Sequence, residues 1–296
     1  MTGRAIAGLL GYGFKTFVLR RTIPYLYCLV LTDACNLDCE YCQSKNTGKY
    51  HLGWDQAQDK LQQAYKRGHR FLVLTGGEPT VWRDQGKDLD DVAAWARELG
   101  FLHVMIATNG LEPFSHPQCS HLVTIDGPRE VHNAMRQGSY DRILDNLAKS
   151  KSQGITASIT LCKANGNSLR EFARELAATN LFSSLSFNFL THSPDKVEEL
   201  GLPHEEKIAA LDELWRLKKE GHPVLLSRAA YLAMKNNSWK RPIRQMELGT
   251  RDRDFTCCRD VDRPEVCENC GYSTCVEVSQ MLALKPSAIL QAVAML

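Results

Sequence analysis

From Tyr25 to Lys219 short apolar runs alternate with longer amphipathic segments, and this rhythm constrains the fold more than any other feature. Runs at Tyr25–Leu31, Phe71–Leu74, His103–Ala107, Leu122–Ile125, Ile155–Leu161 and Leu185–Leu190 read as six strands. Helical periodicity covers Trp54–Arg67, Leu89–Leu99, Tyr140–Ser152, Leu169–Ala178 and Glu205–Lys219, with a short, weak helical link before Leu122. Strands followed by helices imply a parallel βα array. The expected fold is α/β: a partial (β/α)6 TIM-type barrel with a small irregular C-terminal cysteine-rich extension. A doubly wound open sheet is the alternative, because strand count alone does not decide closure. The stripe Ile208, Leu211, Leu214 and Trp215 is read as core.

Three segments follow from the rhythm. Residues 1–22 are expected to be an N-terminal helical extension, 23–222 the barrel, and 223–296 a C-terminal region with little periodicity until Val276. Pro286–Leu296 reads as a short amphipathic helix. The glycine-rich apolar stretch Ala5–Phe14 precedes its basic residues, so it does not read as a signal peptide, and it is too short to span a bilayer. A net charge of +2 gives no reason to expect a nucleic-acid partner.

The eleven cysteines are not spread evenly. Three lie at Cys35, Cys39 and Cys42, and five at Cys257, Cys258, Cys267, Cys270 and Cys275, while Cys28, Cys119 and Cys162 stand apart. Clustered thiols in an α/β chain of this length favour metal ligation over disulfides, hence a reducing, cytoplasmic setting. Cys35 to Cys42 places three thiolates directly after the first strand, where one loop can wrap three corners of an iron–sulfur cubane and leave the fourth iron open. Zinc is the alternative for such a set. Further polar and glycine-bearing motifs follow later strands: Gly76-Gly77-Glu78-Pro79, Thr108-Asn109-Gly110 and Asp126-Gly127-Pro128. In parallel barrels such positions share one face.

The C-x3-C-x2-C spacing after the first strand, with Tyr41 before the last cysteine, resembles the radical SAM superfamily. The resemblance runs over about residues 25 to 190. It implies a [4Fe–4S] cluster on Cys35, Cys39 and Cys42 that binds S-adenosylmethionine (SAM) and cleaves it reductively to a 5′-deoxyadenosyl radical. It implies that Gly76, Gly77, Glu78 and Pro79 receive the methionine amino group and that Asn109 lines the SAM pocket. Asp126 would hold the ribose or face substrate, and Arg136 would pair with the SAM carboxylate. Asn165 or Asn167 would touch adenosine, although an Asn-Gly-Asn turn explains them equally.

The C-terminal cysteines are similar to the auxiliary-cluster tails of SPASM and twitch enzymes and to that of the adenosylhopane-forming branch. The resemblance implies a second, auxiliary [4Fe–4S] cluster on Cys267, Cys270 and Cys275, with Cys257 or Cys258 as fourth ligand and Cys258 preferred; structural zinc is the alternative. An electron donor of flavodoxin or ferredoxin type is implied as partner. For the substrate, a small molecule or lipid is expected, with contact to a membrane surface. A ribosomally made peptide is the second expectation, and a non-enzymatic iron–sulfur scaffold the third. No cobalamin-binding domain is expected, because too few residues precede Cys35.

Overall fold

The structure, a computed structural model, describes residues 11–13, 22–42, 49–113, 116–152, 154–191 and 194–294. Most of the expected N-terminal helix, 1–22, lies outside them, as do the last two residues of the expected C-terminal helix.

The strands are β1 (Leu26–Val30), β2 (Phe71–Thr75), β3 (His103–Thr108), β4 (Ser120–Thr124), β5 (Ile155–Leu161), β6 (Ser184–Phe189), β7 (Met246–Gly249) and β8 (Asp254–Thr256). The helices, in chain order, begin with α1 (Trp54–Arg67), α2 (Leu89–Leu99), α3 (Arg129–Met135), α4 (Tyr140–Lys149) and α5 (Leu169–Ala178). They continue with α6 (Pro194–Leu200), α7 (His204–Lys219), α8 (Arg228–Lys235), α9 (Pro264–Glu268), α10 (Ser273–Leu282) and α11 (Pro286–Ala294).

One sheet runs β6-β5-β4-β3-β2-β1-β7-β8, and every pair from β1 to β6 is parallel. Strands therefore neighbour in chain order, without the reversal that a doubly wound sheet requires. The sheet does not close: β8 lies at the far edge, antiparallel to β7, and β6 at the other.

Side-chain alternation explains the layering. Along β3 and β4 the buried residues Val104, Ile106, His121 and Val123 alternate with partly exposed His103, Met105, Ser120, Leu122 and Thr124. The first set lies on the helix side; the second faces the bore, which is open where a closed barrel would be filled. On the helix side Tyr27, Leu29, Leu72, Leu74 and Ile106 pack with Leu61 of α1 and Val92 of α2 in one cluster. A second cluster joins Ile125, Ile159 and Phe187 to Phe172 of α5 and to Leu211 and Leu214 of α7. The α7 stripe is core, as expected, and Trp215 stacks on Tyr231 of α8 with ring centroids 5.2 Å apart. The ends of α2 show why it begins and stops. The Asp88 carboxylate accepts from the Asp90 and Asp91 amides, and Gly100 takes the left-handed conformation at φ 103°.

Residues 223–296 depart most from expectation. They contain α8, β7 and β8, and β7 pairs in parallel with β1, Leu26 opposite Met246. Four residues show no readable period, and pairing with a neighbour makes the strand. Helix α3 was also not expected, and among the described residues no helix links β3 to β4. Among the described residues no helix is long and apolar enough to cross a membrane. α11 does expose Leu290 at 70% and Val293 at 64%.

Leu29→Ala, at a fully buried position of β1, is expected to cost about 2–5 kcal/mol of stability. Leu290→Ala should change it by less than about 0.5 kcal/mol. Urea unfolding of both variants checks the layering, and equal costs would contradict it.

Candidate active site

The cysteine loop is built on the glycine loop. The Gly77 amide donates to the Thr32 carbonyl at 2.6 Å and the Glu78 amide to Ala34 at 2.8 Å. A Cβ on Gly76 would lie 2.5 Å from the Thr32 oxygen, and one on Gly77 would lie 2.4 Å from that of Ala34. No side chain fits there. The close approach that these glycines permit in the structure is therefore between two stretches of the chain's own backbone. Cys35, Cys39 and Cys42 gather with Leu37, Tyr41 and Leu111, and the Cys42 amide closes the turn on the Cys39 carbonyl at 3.1 Å. Cys35 Sγ accepts from the Leu37 amide at 3.4 Å and lies 3.7 Å from Asn109 Nδ2, the kind of N–H contact that tunes a cluster thiolate. Burial raises the Cys39 thiol to about 11, so a metal must displace a proton to bind there.

Glu78 is buried, and its carboxylate ties two strand ends together. Oε1 accepts from Thr80 Oγ1 and Thr108 Oγ1, each at 2.7 Å, and from the Thr80 amide at 3.1 Å. Oε2 accepts from the Asn109 amide at 2.7 Å. Burial raises its pKa, and these four hydrogen bonds oppose the shift. Oε1 is saturated; Oε2, with one partner, retains a lone pair for an ammonium. Pro79 opens the short 3-10 turn Pro79–Val81 that presents Thr80.

Asp126 does not open toward a ribose. It is fully buried: Oδ1 accepts from the Thr160 amide at 2.7 Å, and Oδ2 takes Arg136 Nε at 2.5 Å and the Tyr41 hydroxyl. Arg136 Nη2 also reaches the Tyr41 oxygen. Burial opposes the Arg136 charge, but Asp126, then Tyr41 and Cys39, hold its pKa above the ordinary value. The triad thus tethers the cysteine loop, through Tyr41, to the end of β4. Asn165 is likewise spent within the chain, donating to the Asp126 and Thr160 carbonyls at 2.6 and 2.8 Å. Asn167 is exposed. His132 props Asp126 from behind: Nδ1 accepts the Asp126 amide at 3.1 Å and Nε2 meets Ser139 Oγ at 2.9 Å.

A cavity of about 310 Å³ opens at the C-terminal ends of the strands, and Cys35, Cys39, Cys42, Gly76, Gly77, Glu78, Asn109 and Arg136 all line it. Sequence reasoning missed its polar wall: Thr124, Ser158, Thr160 and Asn188, with Thr191 and Tyr272. The signal was present, since β5 and β6 carry Thr and Ser at alternate positions within otherwise apolar runs. Three thiols on one wall, with room beside them, suit a cluster with one open iron.

The C-terminal cysteines come together as well. Cys257, Cys258, Cys267, Cys270 and Cys275 line a second, small cavity, and Thr191 and Tyr272 belong to both cavities. The Cys258 and Cys275 thiols donate to Cys257 and hold its pKa below the ordinary thiol value. Cys257 adopts φ 68°, a left-handed conformation rare for a residue with a side chain. Cys28, apart from both groups in sequence, feels the Cys257 charge, although burial is the main cause of its rise to about 12. Among the described residues no His, Cys, Asp or Glu group is arranged around a single metal ion.

A strand-ordered open barrel with a three-cysteine loop at its catalytic end defines a class, and comparison with known proteins agrees. The model of the radical SAM superfamily matches residues 29–178, half of the chain. The chain belongs to that superfamily, whose members are enzymes that use a [4Fe–4S] cluster and SAM. It is 37% identical over 84 residues to a probable GTP 3',8-cyclase of Sulfolobus acidocaldarius, covering 28% of this chain and 26% of that one. It is 32% identical over 160 residues to the mycofactocin maturase MftC of Mycobacterium tuberculosis, covering 48% and 39%. It therefore spans well under half the length of either relative. In fold it is similar to Streptococcus suis SuiB bound to precursor peptide SuiA, with TM-score 0.62 and 12% identity over 80% of this chain and 60% of that one.

Two outcomes test this geometry. Gly77→Ala should destabilise the chain by about 1–3 kcal/mol through overpacking. It should also lower iron uptake on anaerobic reconstitution, and unchanged values for both would separate the two loops. Burial, then Arg136, lowers His132 to about 4, so the unfolded chain, near 6.5, takes the proton first. The stability of the neutral ring is complete above about pH 6.5 and is lost as pH falls toward 4. Between pH 7 and 5 that loss is about 2 kcal/mol. His132→Asn should flatten the urea-midpoint profile by that amount; parallel profiles would refute the assignment.

Proposed function

We propose that the chain is a peptide-modifying radical SAM enzyme with two iron–sulfur clusters. Cys35, Cys39 and Cys42 hold the first. When SAM is bound there, one-electron reduction supplies a 5′-deoxyadenosyl radical that takes hydrogen from substrate. Glu78 Oε2 receives the methionine ammonium, and Arg136, steadied by Asp126, presents its remaining donors to the carboxylate. Asn109 fixes the cysteine loop through Asn36 Oδ1 at 2.7 Å. Cys267, Cys270 and Cys275 hold the auxiliary cluster; Cys257, touching both Cys258 and Cys275, is as well placed as Cys258 to be fourth ligand. An electron donor of flavodoxin or ferredoxin type supplies the reducing electron.

The observation that carries this reading is the shared wall. Thr191 and Tyr272 separate the C-terminal thiols from the polar cavity, so a cluster there would stand one side chain from bound substrate. That wall, with Ser158, Thr160 and Asn188, offers hydrogen bonds to a polar chain and favours a peptide over the expected lipid. The names of the similar proteins, a maturase and a structure with a precursor peptide, lean the same way.

Anaerobic reconstitution should yield about eight irons per chain, two cubanes. Replacing Cys35, Cys39 and Cys42 by Ala should leave about four and abolish SAM cleavage; cleavage by that variant would sink the assignment. Replacing Cys267 and Cys270 should also leave about four irons but keep cleavage without substrate. If one zinc replaces four irons, the C-terminal group is structural.

A further inference from the structure

A third cavity, of about 170 Å³, lies in the bore one strand layer below the catalytic one. The two share no lining residue but abut along the strands: Val73 lies below Thr75, Met105 below Ala107, Leu122 below Thr124, and Thr156 below Ser158. Phe71, Val73, Met105 and Leu122 form the sheet wall, and Val278 and Met281 of α10 face them. One ionisable group breaks this surface from the helix side. Glu277, one turn from Met281, lines the cavity with most of its carboxyl buried. Its Oε1 accepts the Ser227 amide at 2.6 Å, whereas Oε2, also buried, has no hydrogen-bond partner. Lys218 Nζ donates instead to the Val224 carbonyl and to Gln291 Oε1, each at 2.7 Å. Burial raises the Glu277 pKa, and the Ser227 hydrogen bonds and Lys218 only partly oppose that.

A buried carboxylate oxygen without a partner is costly and calls for a donor. The cavity is slightly larger than one of ~150 Å³ that takes benzene. We infer that the lower bore is a binding site for a small amphipathic molecule: a six- to eight-carbon apolar body with one hydroxyl or amino group that donates to the Glu277 carboxyl group. The inference stands on the cavity and Glu277 alone and does not rest on the substrate reading above. Whether the molecule is free or is the side chain of a larger substrate, the recognised chemistry is the same.

The probes are benzyl alcohol, benzylamine and toluene, titrated into the full-length chain by calorimetry with thermal shift in parallel. Benzyl alcohol or benzylamine should bind saturably and raise the melting temperature, with toluene at least about tenfold weaker for want of the donor. Glu277→Gln should bring the polar probe down toward toluene, and Met105→Trp, which fills the cavity, should abolish binding of all three. Circular dichroism of each variant is recorded first to separate misfolding from loss of the site, and either folded variant suffices. Absence of saturable binding by any probe, equal affinity for toluene, or unchanged affinity in a folded variant would overturn the proposal.

Discussion

The contact on which the rest depends is made by backbone alone. Two amides of the glycine loop donate to carbonyls just upstream of Cys35, at a separation that excludes any Cβ on Gly76 or Gly77. The loop that carries the three thiols is short and borders an open cavity, so its apolar packing is confined to a small cluster with Leu37 and Leu111. Hydrogen bonding to the end of β2 supplies what packing does not. Glu78 then extends the brace to β3 through Thr108 and the Asn109 amide, so that three strand ends are fixed relative to the thiols.

The second brace is electrostatic. Tyr41, within the cysteine motif, meets Asp126 and Arg136, while His132 and Asn165 hold Asp126 from the other side. A buried ion pair is weak evidence for stability, since desolvation offsets the attraction, but it enforces one geometry because neither partner tolerates losing the other. The same guanidinium that completes this network also borders the cavity, so positioning of the loop and presentation of charge to a ligand are coupled through Arg136.

Much of this was legible in the residues. Period and punctuation placed α1, α2, α5 and β5 at their observed bounds, because each carries its own sequence pattern: one buried face in the helices and an almost continuously buried run in β5. The cysteine and glycine motifs fell on one face, as parallel strands require. Two kinds of feature were not legible. Asp126 and Asn165 look like ligand-binding residues in sequence, yet their hydrogen bonds go to Arg136, Tyr41 and strand backbone that are distant in the chain. And β7 has too few residues to carry a pattern, so its identity as a strand comes from β1, as the kinship of Cys28 with the C-terminal thiols comes from the same pairing.

That pairing has a bearing on how the protein is made. β1 lies inside the sheet, with β2 on one side and β7 on the other, and β7 leaves the ribosome only after β1 to β6. Until then β1 presents an unpaired edge beside the nascent cysteine loop, in a topology whose distant contacts form slowly. Metal delivery during synthesis would therefore meet a sheet with one side still open, and the arrival of β7 would seal the edge next to the first thiol group just before the second group follows. Assembly of the two thiol groups is, in this sense, ordered by the strand that joins them.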